Sequence, residues 1–234
     1  MYIAIQFINM QAKAERAYGN ASGQTSYIGL DGVKYGSFNL TVVFDQSKFC
    51  GEDSIQPFPQ HGQILAGKYK IDELLGSATT SDAYKCVDIS REETDQDAHV
   101  CLKIFKRGKF DQSLDEVRIL QYINSNCVDP DEKNVLRLVD FFYAEDRMCI
   151  VTELLRVNIY ELGDAIYNAG DIPYFVYPRM KRIAKQILQA LEYIHSLGLI
   201  HCDVKPENIV IKSYSKCIVK LIDFGGSLFN TSRY

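Results

Sequence analysis

The sequence predicts an α+β chain, with sheet in its front part and helix behind it. Apolar runs of strand length succeed one another from Lys68 to Leu155, with a single helical period among them. The longest amphipathic period, Tyr177 to Leu197, comes only afterwards, and short apolar runs then return towards the C-terminus. Strands and helices segregated in this way are the pattern of an α+β architecture, not of alternating βαβ units.

Taken in order, residues 1–36 are punctuated by Gly19, Gly23, Gly29, Gly32 and Gly36 and hold no period; a poorly ordered extension is expected. Residues 37–68 form a leading segment in which F-N-L-T-V-V-F (38–44) reads as one strand, followed by a connection with Pro57 and Pro59. K-Y-K-I-D-E-L-L-G reads as a strand running into Gly76, with A-Y-K-C-V-D-I as its partner and V-C-L-K-I-F (100–105) as a third strand. Leu114, Val117, Leu120 and Ile123 mark a helix over 112–123. V-L-R-L-V-D-F-F-Y and M-C-I-V-T-E-L-L, joined at 144–147, predict a hairpin. Ile183, Ile187, Leu191 and Ile194 share one face of the long helix, which Gly198 ends.

Composition narrows the function classes. With 234 residues, 47% hydrophobic and 24% charged, the chain is of globular type. A net charge of −4 gives no footprint for nucleic acid, so no nucleic-acid partner is expected. Seven cysteines, none in a C-x-x-C pair, fit neither a zinc site nor a disulfide framework and point to a reducing compartment, cytoplasmic or nuclear. No apolar run is long enough to span a bilayer, so no membrane partner is expected.

Four elements then follow in a telling order. His201-Cys202-Asp203-Val204-Lys205-Pro206-Glu207-Asn208 resembles the catalytic-loop motif H-R-D-L-K-x-x-N of protein kinases, departing from it at Cys202 and Val204. Asp223-Phe224-Gly225 stands where D-F-G belongs, Val100-Cys101-Leu102-Lys103 resembles V-A-I-K, and Glu116 lies on the helix after it. Singly, Lys103 reads as a surface lysine and Glu116 as a solvated helix residue; their joint occurrence carries the resemblance. It implies a bilobal protein-kinase fold over 69–234, with a β-rich N-lobe at about 69–153 and the first part of a helical C-lobe at 154–234, incomplete at its C-terminus.

The resemblance also implies roles, with ATP and Mg²⁺ as cofactors and serine and threonine hydroxyls of proteins as substrates. Lys103 is expected to hold the α- and β-phosphates, oriented by Glu116. Asn208 and Asp223 are the expected Mg²⁺ ligands, Asp203 the acceptor of the substrate proton, and Lys205 the partner of the γ-phosphate. Glu153 and Leu155 stand where hinge backbone meets adenine, Thr152 at the gatekeeper position, and Cys101 as a small hydrophobe beside the base. His201 is expected to pack beneath Phe224 rather than to act in catalysis. The phosphate-covering loop, Gly76 to Ala83, keeps only the first of the usual glycines, and Asp82 is unhelpful there if it points inward.

I-H-C-D-V-K-P-E-N-I-V, E-L-L-R-V-N-I-Y-E-L and L-I-D-F-G-G-S are similar to the dual-specificity tyrosine-regulated (DYRK) kinases, and L-G-S-A-x-x-S to a plant-type branch of them. Cys202 in place of arginine is a mark of that family. The resemblance implies that Asn158 contacts the ribose, that Thr152 is smaller than the usual phenylalanine, and that Tyr234 falls near the first activation-loop tyrosine, a site of autophosphorylation. Two readings stand side by side: an active kinase, or a nucleotide-binding module without transfer. The apolar face of the long helix is expected to lie in water without further helices, leaving the chain alone insoluble, chaperone-bound or partly molten, and without kinase activity.

Overall fold

In the computed structural model the described residues are 2–6, 25–28, 34–38, 41–45 and 58–230, apart from 93, 171 and 172; Tyr234 lies outside them. The chain divides into two compact units, Met1–Arg118 with Val139–Glu153, and Ile119–Leu138 with Leu154–Tyr234.

The first unit opens with β1 (Tyr2–Gln6), β2 (Thr25–Ile28), β3 (Lys34–Phe38) and β4 (Thr41–Asp45), paired antiparallel as β1 with β4 and β2 with β3. One expectation changes here. The single strand over 38–44 is divided, because Phe38 closes a strand paired with β2 and Thr41 opens one paired with β1. Of residues 1–36, expected to be a poorly ordered extension, 2–6, 25–28 and 34–36 lie in strands, and the rest lie outside the described residues. The partner of β1 lies far along the sequence, where local periodicity does not reach, whereas β2 and β3 pair as neighbours, with Ile28 opposite Lys34.

A six-stranded sheet follows. It comprises β5 (Ile64–Leu65), β6 (Tyr69–Ser77), β7 (Ser81–Asp88), β8 (His99–Phe105), β9 (Leu138–Ala144) and β10 (Arg147–Glu153), in the order β5-β6-β7-β8-β10-β9. Strict alternation in β8 sends Val100, Leu102 and Ile104 into the core and Cys101 and Lys103 to the opposite face. The core side adds Leu65, Tyr69, Ile71, Cys86, Phe142 and Val151. Tyr69 and Phe142 stack at 5.7 Å, and the Tyr69 hydroxyl donates to Asp140 Oδ2 at 2.8 Å, so the buried phenol has a partner. The expected hairpin is β9–β10, turned by Glu145 and Asp146 at φ 50° and 58°, the left-handed pair that a tight two-residue turn needs. Helix α1 (Phe110–Ser125) buries Val117, Leu120 and Ile123, and its later part, from Ile119, belongs to the second unit.

The second unit holds α2 (Ile159–Ala169), α3 (Tyr177–Ser196), β11 (Leu199–Ile200), β12 (Ile209–Ser213), β13 (Ile218–Leu221) and β14 (Leu228–Phe229), with β11 paired to β14 and β12 to β13. The sequence reading passed over α2, although Asn158 caps it by accepting from Glu161 N at 2.8 Å. An Asn followed three residues on by Glu is a helix-start signal. Gly198, at φ 76°, ends α3 as expected.

The expectation for α3 is corrected. Ile183, Ile187 and Ile194 are buried within this unit, against β11 and β13, and Leu191 is half-buried. Burial of the three is worth roughly 1.5–3 kcal/mol each, as an upper estimate. The side chains left in water are instead Tyr177, Met180 and Leu188. Gln186 joins the packing by side-chain bonds to β13: its Oε1 accepts from Val219 N at 3.1 Å and its Nε2 donates to Cys217 O at 2.9 Å. Asn134 Nδ2 donates to the same Gln186 oxygen at 3.1 Å, so this buried polar cluster is mutually satisfied.

Candidate active site

In the first unit five of the expected nucleotide residues fall on one face of the sheet, whereas Glu153 pairs with Val100 on the other. Antiparallel partners point the same way, and the register pairs Gly76 with Ala83, Ala83 with Lys103, and Cys101 with Thr152. The five side positions therefore line the face opposite the Leu102–Ile104 core. Glu116 reaches this face from α1. Lys103 Nζ lies 2.7 and 2.8 Å from its two carboxylate oxygens.

Cys101 is shielded on that face, and burial pushes its thiol up to about 11. The thiolate is therefore scarce at neutral pH, in keeping with a small hydrophobe rather than a nucleophile. Thr152 is buried beside it and donates to Glu153 O at 3.3 Å. Glu153 ends β10.

The loop between β6 and β7 is a closed hairpin. Ala78 N donates to Ser81 O at 2.8 Å, and Lys106 N donates to Thr80 O at 2.9 Å. Lys106 Nζ donates to Ala78 O at 2.5 Å and stands 3.8 Å from Asp82 Oδ1, which also accepts from Ser77 Oγ. Asp82 pairs with Ile104, on the face away from Lys103, so its charge is turned from the expected phosphate side. Lys106 was not foreseen; nothing in K-I-F-K-R-G-K distinguishes it from its neighbours.

The second unit holds Asp203, Lys205, Asn208 and Asp223, together with Leu155 and Asn158. Asn208 Nδ2 donates to Asp203 O at 2.9 Å and to Asp203 Oδ2 at 3.0 Å, and Lys205 Nζ donates to the same Oδ2 at 2.8 Å. The Lys205 ammonium, with help from Asn208, holds the Asp203 carboxyl below the usual carboxylate range. It is ionised at neutral pH, as a proton acceptor must be. Ile222 N donates to Asn208 O at 3.0 Å, which ties the Asp223 segment to the loop of Asp203 and Asn208. Cys202 and Asp223 both adopt left-handed backbone, at φ 66° and 62°, a strain that clusters at functional positions.

His201 is 1% exposed and stands 5.0 Å from Phe224, ring to ring, as expected. Its Nε2 donates to Ile222 O at 2.9 Å and its Nδ1 accepts from Asp203 N at 3.3 Å. One proton on the ring satisfies both bonds, and burial pushes its pKa down. Leu155 is half-buried in the segment after β10, where Arg156 N donates to Ile211 O at 2.9 Å. The Asn158 oxygen is engaged as the cap of α2, leaving its amide nitrogen as the group that could meet a sugar hydroxyl.

The donor chemistry fits Mg²⁺. Asp223 offers carboxylate oxygens, and Asn208 spends its amide nitrogen on Asp203, so its harder oxygen remains the metal-type donor. No cluster of three or more His, Cys, Asp or Glu fit for a metal occurs among the described residues.

The chain belongs to the protein kinase family: the family model for the protein kinase domain matches residues 69–233. Within it the similarity is to DYRK-type kinases, as the sequence motifs implied. It is 36% identical over 171 residues to the DYRK-family kinase pom1 of Schizosaccharomyces pombe, covering 72% of this chain and 15% of that protein. It is 32% identical over 205 residues to the human dual specificity tyrosine-phosphorylation-regulated kinase 4, covering 87% and 37%. It is 33% identical over 203 residues to the dual specificity protein kinase YAK1 homolog of Arabidopsis thaliana, covering 85% and 19%. The chain thus spans well under half the length of these relatives. A crystal structure of a kinase domain, 23% identical, superposes with a TM-score of 0.64 over 75% of this chain and 55% of its own, which shows the fold.

Proposed function

We propose that the chain is the nucleotide-handling part of a serine/threonine protein kinase of the DYRK type, using ATP with Mg²⁺. The observation that carries this reading is the Asp203 carboxylate, ionised and held by both Lys205 and Asn208. In the reaction the hydroxyl oxygen of a protein serine or threonine bonds to the γ-phosphorus. The bond to the β–γ bridging oxygen breaks, ADP leaves, and the hydroxyl proton passes to Asp203. Lys103, oriented by Glu116, binds the α- and β-phosphates; Lys205 neutralises the γ-phosphate. Asn208 and Asp223 hold Mg²⁺, which supplies charge neutralisation on the phosphate oxygens. The Glu153 and Leu155 backbones bond adenine beside Thr152 and Cys101, and Asn158 meets the ribose. Gly76 and Ala83 cover the phosphates.

The finer reading adds autophosphorylation on tyrosine, with Tyr234 as its site, chaperones as partners, and a cytoplasmic or nuclear location. A second reading, nucleotide binding without transfer, is favoured by the loss of glycines after Gly76. Both are separated by incubating the chain with labelled ATP, Mg²⁺ and a serine-containing peptide library. Label in peptide that vanishes in Asp203→Asn supports the kinase; ATP binding without any label supports the second reading.

A further inference from the structure

Lys220 is 0% exposed, and no step above uses it. A buried ammonium is costly unless a counter-charge meets it. Asp131, in the turn after α1, supplies one: its Oδ1 lies 2.5 Å from Lys220 Nζ. The same carboxylate accepts from Lys212 Nζ at 2.6 and 2.5 Å. Lys212 belongs to β12 and Lys220 to β13, so one carboxylate bridges both strands of this hairpin.

The hairpin is the piece of backbone that carries both expected metal ligands. Asn208 immediately precedes β12, and Asp223 follows β13 by two residues. The turn that holds Asp131 grips β13 a second time through backbone, since Leu221 N donates to Asn134 O at 2.9 Å and Leu136 N to Leu221 O at 3.2 Å. The last residues before Asp223 are thus fixed by side chain and by main chain from one segment.

We propose that Asp131 is a positioning residue that, through Lys212 and Lys220, sets the spacing of Asn208 and Asp223 for Mg²⁺. The proposal rests on the kinase reading of those two ligands. Partners one step behind metal ligands affect affinity because a small displacement of an oxygen misplaces a rigid, octahedral cation.

The test uses the full chain and the variants Asp131→Asn and Asp131→Glu. Hydrogen exchange read by mass spectrometry reports the hairpin directly, and ATP titrations with and without MgCl₂ report the metal. In Asp131→Asn, exchange should quicken about tenfold in peptides holding Asn208 and Ile222, with 99–105 unchanged. The gain in ATP affinity that Mg²⁺ confers should fall about tenfold, while affinity for metal-free ATP, which reads Lys103, is kept. Asp131→Glu should restore both. If Asp131→Asn fails to fold, Asp131→Leu combined with Lys220→Met removes the buried charge along with its partner and should show the same selective loss. Unchanged exchange in the hairpin, or loosening spread evenly through the second unit, overturns the proposal, as does an undiminished Mg²⁺ gain. A wild-type chain whose ATP affinity ignores Mg²⁺ defeats the kinase reading instead; exchange at Asn208 and Ile222 then still decides whether Asp131 clamps the hairpin.

Discussion

Lys103 and Glu116 meet as a two-pronged ion pair whose members differ in burial, the lysine side chain being 25% exposed and the glutamate 5%. The asymmetry makes the two deletions unequal. Lys103→Met strands a buried carboxylate and should destabilise the first unit by about 3–5 kcal/mol, whereas Glu116→Gln leaves a lysine that still reaches water and should cost about half as much. Thermal melting of the two variants checks the order. Both, like Lys103→Arg, should lose nearly all phosphate transfer, since arginine does not reproduce the placement of a point charge.

Asp223→Asn should abolish Mg²⁺-dependent transfer while leaving metal-free ATP binding intact, because an amide is a poor ligand for a hard cation. Single-turnover transfer and nucleotide titration, measured side by side, check it. Transfer at the wild-type rate would remove Asp223 from the metal site.

Thr152 shares its sheet face with Cys101 and is buried there. Thr152→Phe should cost about 1–3 kcal/mol of stability by overpacking. It should also weaken inhibitors built to reach past the gatekeeper, read as a rise in Kd. Equal affinity in both forms would mean that Thr152 does not gate that space.

His201 titrates lower in the folded chain than its usual value of 6.5, because burial disfavours the imidazolium. Below about pH 6.5 the unfolded chain therefore binds the extra proton and the folded one does not, so stability falls as the pH drops from there through the folded pKa and is constant above. Melting temperatures between about pH 5 and pH 8 should show this decline, and His201→Gln should flatten it.

Ile194 is fully buried in the second unit. Ile194→Ala should cost about 2–5 kcal/mol, whereas Leu188→Ala, on the exposed side of α3, should change little. Denaturant melts of the two variants give the comparison.

Much of this was legible before any coordinates. The alternation of β8 already separated Val100, Leu102 and Ile104 from Cys101 and Lys103, because strand geometry enforces a period of two. The motif around Asp203 marked the residues that the structure joins there, Asp203, Lys205 and Asn208, and the departure at Cys202. What escaped depends on distant pairing. Leu199 meets Phe229 in a strand pair of two residues, too short for any local pattern. Among Asp129, Asp131 and Glu132 nothing in the sequence marks the one that faces Lys220. The face of α3 was legible, but what covers it was not: Ile183, Ile187 and Ile194 find their cover in β11 and β13, which lie later in the chain.

The hairpin tip over Gly76–Ala83 invites a thermodynamic consequence. A glycine-rich flap stays mobile until a ligand orders it, and that ordering subtracts from affinity. Here Lys106 holds the Ala78 carbonyl and Asp82, so the ordering is completed when the chain folds. Nucleotide capture should then carry a smaller entropic penalty, and its rate should depend little on loop closure. Lys106→Ala would return the tip to a flexible state and transfer that penalty to the binding step, visible calorimetrically as a more unfavourable binding entropy.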